Sequence, residues 1–97
     1  METLNFEYSA SQPAVRPVHV GVVGSGDLEV LLEPSGDVGA HITVRTSVDG
    51  FGDTWKAVLD RFFERNDIGA RFEINDQGAT PGTVSLRLAQ AMEESQS

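Results

Sequence analysis

Cysteine is absent from the 97-residue chain. That excludes a disulfide framework, a thiolate metal site and a cysteine nucleophile together. Basic residues are scarce: Lys and Arg number 7 against 15 Asp and Glu, for a formal net charge of -8. Phosphate backbones repel such a chain, which sets nucleic-acid binding aside and turns attention to partners with basic patches. Only His19 and His41 offer an imidazole. No apolar run approaches the ~18 residues of a membrane span. Met1 to Tyr8 holds Glu2 and Glu7 and has no signal-peptide pattern. The length leaves no room for a second domain, a barrel of eight βα units or a full dinucleotide fold. These absences define an expectation: one soluble, acidic, intracellular domain over residues 1–97, with a thin core.

What is present is periodic. Residues 3–8 alternate, with Leu4, Phe6 and Tyr8 on one side, and read as a half-buried strand. Residues 18–23 and 28–33 are rich in β-branched and aliphatic side chains, and Gly24-Ser25-Gly26-Asp27 between them is a hairpin turn signal. Residues 35–39 read as another turn. Residues 40–48 alternate again, with Ala40, Ile42, Val44, Thr46 and Val48 facing one way and His41, Thr43, Arg45 and Ser47 the other. The period then changes. Trp55, Val58, Leu59, Phe62 and Phe63 mark one face of a helix, with Asp53 as the expected cap and Asn66, Asp67 and Gly69 as its end. Phe72 and Ile74 point inward from a strand over 70–76. Thr80-Pro81 opens a second helix, with Val84, Leu88, Ala91 and Met92 as its stripe, to about residue 93. The order β-β-β-β-α-β-α predicts an α+β, two-layer sandwich: a mainly antiparallel sheet with two helices packed on one face.

Gly21, Gly24 and Gly26 invite a phosphate-loop reading, but the order is G-x-x-G-x-G, and the next run ends at Pro34. A hairpin turn in which Gly24 and Gly26 supply positive φ explains them better. Ser25, flanked by these glycines, is sterically open. From the residues alone it is a nucleophile, a modification site or a turn residue. A nucleophile needs a base, and His19 and His41 read as surface strand residues. Asp27 and Glu29, two residues apart, read with Glu33 after them as an acidic strand-edge face, with Asp27 either meeting a basic partner or shaping the turn. No carboxylate group has metal-loop spacing. The stripe from Trp55 to Phe63 is core, with Trp55 the member best placed to reach a partner.

Val22-Val23-Gly24-Ser25-Gly26-Asp27-Leu28-Glu29-Val30-Leu31-Leu32-Glu33-Pro34, Asp76-Gln77-Gly78-Ala79-Thr80-Pro81-Gly82-Thr83-Val84 and the opening Met1-Glu2-Thr3-Leu4-Asn5-Phe6 resemble the acyl carrier, or delta, subunits of bacterial malonate decarboxylases. The resemblance spans nearly the whole chain. It implies that Ser25 carries 2'-(5''-phosphoribosyl)-3'-dephospho-CoA through a phosphodiester, with Gly24, Gly26 and Asp27 supporting the site. It further implies a non-catalytic, cytoplasmic carrier of acetyl and malonyl thioesters. Its partners would be an acyltransferase (alpha) subunit, decarboxylase (beta and gamma) subunits, a prosthetic-group transferase and a malonyl transferase. Helical acyl carriers present Asp-Ser-Leu at a helix start, whereas here the serine has glycine on both sides. Two rivals remain: an assembly or regulatory subunit without a bound group, and a small hydrolase using Ser25.

Overall fold

Alternation along the chain sorts side chains between a helix-covered face and an open face of one sheet. The computed structural model describes residues 1–36 and 39–96. Its elements run β1 (Glu2–Tyr8), β2 (Val18–Gly21), β3 (Leu28–Glu33), β4 (Ala40–Thr46), α1 (Gly52–Arg65), β5 (Arg71–Asp76) and α2 (Pro81–Gln96). The predicted α+β sandwich is the observed architecture. The strands lie in the order β1-β4-β5-β3-β2. Every neighbouring pair is antiparallel except β4 and β5, which run parallel. A parallel pair requires a crossover, and α1 supplies it. The last strand thus enters the middle of the sheet, between β3 and β4.

One face of that sheet is the core. Val18 and Val20, then Leu28, Val30 and Leu32, then Phe72 and Ile74, then Ile42 and Val44 lie side by side across four strands and are buried. Leu4, Phe6 and Tyr8 extend the row at lower burial. Trp55 and Leu59 of α1, and Val84, Leu88 and Ala91 of α2, close over it. The opposite face is polar, and its side chains pair across strands: His19 with Glu29 at 2.8 Å, His41 with Glu7 at 3.3 Å, and the Thr43 hydroxyl donating to Asn5 at 3.0 Å. Both histidines are therefore surface strand residues, as expected.

Several boundaries move for identifiable reasons. Val22 and Val23 leave the ladder, 62% and 52% exposed, because Gly21 adopts φ 78 and turns the chain away. β4 stops at Thr46, whose Oγ1 accepts the Val48 N–H at 3.1 Å; Val48 therefore bends out of the strand. Phe51, not Asp53, is the N-cap of α1, without a side-chain hydrogen bond. Asp53 lies in the first turn, where its charge suits the helix dipole. Gly69 does not end α1. It pairs with the β1–β2 loop, donating to the Gln12 carbonyl at 2.7 Å and accepting from the Ala14 N–H at 2.9 Å. At the start of α2, the Thr80 hydroxyl accepts the Thr83 N–H at 3.2 Å, as the Thr-Pro pair predicts, and the helix runs on to Gln96. The turn expected over 35–39 includes Asp37 and Val38, which lie outside the described residues.

Phe62 and Phe63, expected as buried core, are half-buried and stand edge-on to Phe72 at 6.4 and 5.5 Å. Phe72 is the fully buried ring. Phe72→Ala should therefore cost about 3–5 kcal/mol, and Phe62→Ala clearly less. Urea unfolding of the two variants beside the parent chain checks the ranking.

Candidate functional site

The sharpest departure from regular structure in the β2–β3 hairpin is its loop, residues 22–27. The Asp27 N–H donates to the Gly24 carbonyl at 3.0 Å, closing a four-residue turn with Ser25 and Gly26 at its centre. Gly26 has φ 74, a conformation that L side chains strongly disfavour. Gly24 does not share it. The second left-handed glycine of the hairpin is Gly21, so the expected pairing of Gly24 with Gly26 is corrected. Ser25 is exposed. A Cβ placed on Gly26 would meet nothing within 4 Å, and one on Gly24 only the Val22 side chain at 3.8 Å. The hydroxyl thus stands in open space on both sides.

Exposure does not make this turn loose. The Gly26 N–H donates to the Gln77 carbonyl at 2.8 Å, and the Gln77 N–H donates to the Asp27 carbonyl at 2.9 Å. The G-S-G-D turn is thereby stitched to the loop between β5 and α2, so two segments 50 residues apart in the chain meet at one end of the sheet.

Asp27 is not where the two-residue spacing places it. Glu29 and Glu33 lie on the open side of β3, which is an interior strand and not an edge. Asp27 turns instead toward the helix layer. Its carboxylate accepts Nη2 of Arg87 at 2.8 Å, Nε of Arg87 at 3.2 Å and its neighbour's Leu28 N–H at 2.7 Å. The Arg87 bonds, then the Leu28 amide, hold the Asp27 carboxyl below the usual carboxylate range, and the same pairing raises Arg87. Asp27 is therefore an anchor of the turn, neither a free docking charge nor a mere turn former.

Gly21 lies against this anchor. A Cβ there would lie 2.1 Å from the Leu28 carbonyl oxygen and 3.2 Å from Nε of Arg87. Only a residue without a side chain fits against that carbonyl, and the guanidinium packs beside the same spot. Arg87 and Gly21 are the site residues that sequence reasoning missed. The signal available was small: Arg87 is the single basic residue of α2.

The structure brings neither imidazole to Ser25. His19 lies back along β2 and engages Glu29, and His41 is on β4, three strands from β2. A hydrolase built on Ser25 therefore has no histidine base.

At the same end of the sheet, β4 and β5 finish side by side at Thr46 and Asp76, both buried. Asp76 is fully engaged: Oδ2 accepts the Thr46 hydroxyl at 2.8 Å, and Oδ1 accepts the Ala79 N–H at 2.9 Å. Above them a cleft of about 180 Å³ opens between the first turns of the two helices. Trp55, expected to reach a partner, is 5% exposed and forms part of the cleft wall.

Known proteins resemble the chain over nearly its whole length. A sequence model of the family "Malonate decarboxylase delta subunit (MdcD)" matches residues 15–95. The malonate decarboxylase acyl carrier protein of Burkholderia cepacia is 52% identical over 97 residues, covering 97% of this chain and 90% of its own. That of Azotobacter vinelandii is 52% identical over 95 residues, covering 97% and 96%. Among solved structures, one chain of the crystal structure of a Pseudomonas malonate decarboxylase hetero-tetramer in complex with malonate superposes with a TM-score of 0.92. It is 48% identical and covers 97% of this chain and 98% of its own.

Two predictions follow from the anchored turn. Gly21→Ala meets both a left-handed φ and a backbone oxygen, and should lose more than about 1 kcal/mol of stability in urea unfolding. For Asp27, a folded-state pKa below the unfolded value of about 3.9 adds stability that is present above that value and lost as pH falls through the folded one. Asp27→Asn should thus lower the urea midpoint at about pH 7, with the gap to the parent chain narrowing as pH falls below about 3.9.

Proposed function

The chain belongs to the malonate decarboxylase delta subunit family, and on that premise we propose that Ser25 is where it carries its prosthetic group. Within this family the chain is a carrier subunit of a multisubunit decarboxylase and not itself catalytic. The observation that supports the site is the exposed Ser25 hydroxyl on a turn pinned from both neighbouring segments.

A thioester carrier needs a thiol, and this chain has no cysteine; the sulfur must come from a bound group. The group proposed is 2'-(5''-phosphoribosyl)-3'-dephospho-CoA, joined to the Ser25 oxygen by a phosphodiester, and its thiol bears acetyl or malonyl. The residues present fit it. Open space beside Gly24 and Gly26 accommodates a bulky phosphodiester and gives a modifying enzyme access. Asp27, neutralised by Arg87, holds the turn without setting an unpaired negative charge against the phosphate. Val22 and Val23, apolar and exposed beside Ser25, offer a contact that a loading enzyme can use.

The acidic surface suits a carrier that visits several basic partner sites in turn, because complementary charge steers encounter. The partners proposed are the acyltransferase (alpha) subunit, the decarboxylase (beta and gamma) subunits, the prosthetic-group transferase and the malonyl transferase. The compartment proposed is the cytoplasm. Among the described residues no helix is long and apolar enough to cross a membrane.

Intact and peptide mass spectrometry of protein from its native host should show the added mass of the group on the peptide containing Ser25. Ser25→Ala should fold normally and gain no mass. A Ser25→Ala chain that still carries the group would refute the assignment. A native chain that carries none would leave an assembly subunit.

A further inference from the structure

We propose that the cleft between the two helix starts is a resting place for the acetylated end of the arm. This rests on the reading of Ser25 as the attachment point.

Position is the first argument. The cleft and the Ser25 turn occupy the same end of the sheet and share a boundary. Gln77, which exchanges backbone hydrogen bonds with Gly26 and Asp27, sits between Asp76 and Gly78 of the cleft lining. A group rooted on Ser25 therefore starts one short loop away from the opening.

Size and polarity argue for what enters. The walls are apolar: Phe51, Trp55 and Val58 on the α1 side, Ala79, Pro81 and Val84 on the α2 side. A cavity of roughly 150 Å³ lined by apolar side chains accepts benzene. The cleft here is about 180 Å³, enough for an acetyl thioester and the adjoining ethyl segment but not for a nucleotide. Phe51 is 49% exposed beside this opening, a large apolar surface that such an occupant would cover.

Charge fits a neutral guest. The ionisable group in the cleft lining is Asp76, and both its oxygens are already bonded, so an uncharged acetyl thioester is set against no unpaired charge. The acetyl form would thus be shielded from water between turnovers.

The test uses the loaded chain, with the group on Ser25 verified by mass, in acetyl and free-thiol forms. An isotope-labelled acetyl methyl should show nuclear Overhauser contacts to Trp55 and Val84. An arm docked about two-thirds of the time should also slow hydrolysis of the acetyl thioester roughly threefold relative to the same thioester on free dephospho-CoA. Ala79→Phe, which fills the cleft, should abolish both effects; the parent-chain measurements stand whether or not that variant folds. A loaded chain without those contacts and with unprotected hydrolysis overturns the cleft proposal alone. A chain with no mass on Ser25 overturns the carrier reading and this proposal with it.

Discussion

A carboxylate partly withdrawn from water is stabilised there by a counter-charge and by donors. Asp27 has both in the two-pronged bond from Arg87 and the Leu28 amide, and much of this end of the molecule is arranged around it. Where β2 ends, only a residue with no side chain fits against the Leu28 carbonyl. That glycine also throws Val22 and Val23 out of the ladder. Once Asp27 is fixed, its carbonyl and the Gly26 amide are presented to Gln77. That in turn sets the loop that closes the floor of the cleft. An ion pair between the hairpin turn and the last helix therefore links the serine to a loop and a cleft far from it in the sequence.

Much of the framework was legible because its causes are local. Two-residue alternation in Leu4–Tyr8 and Ala40–Thr46, the helical stripe through Trp55 and Leu59, and the Thr80-Pro81 start all act within one element, and each element formed where its pattern stands. The exposed glycine-flanked Ser25 was legible for the same reason. Less of the site was. The insertion of β5 between β3 and β4 is a choice among strand partners, and the alternating pattern of β5 is compatible with any neighbour of the same period. Asp27 looked like a member of an acidic row because strand parity was carried one residue past the start of β3. A turn residue obeys no parity, and the partner that captured it lies 60 residues on. The likeness of both the Gly24–Asp27 and Asp76–Pro81 segments to one family was noted separately for each; that they touch is a fact of tertiary structure.

The two faces of the sheet divide the remaining tasks. The helix-covered face holds the apolar mass, while the open face carries short-range ion pairs and amide contacts such as Glu29 with His19 and Asn75. With His19 56% exposed, such a contact adds little stability.

The stitching of the Gly24–Asp27 turn to Gln77 and Arg87 has a mechanical meaning. A tether is only as well aimed as its root. If Ser25 bears the proposed arm, the motion of a floppy loop would be added to that of the arm, spreading the cargo through a larger volume and thinning it at any one destination. A root held by four hydrogen bonds to two other segments behaves as a hinge pin on a rigid body. The proposed arm would then sweep a sphere whose centre is fixed relative to the body of the domain. For a chain that serves more than one reaction centre, this turns catalytic handover into surveying: every centre must lie within one arm's length of the same point, or the whole body must let go and dock again.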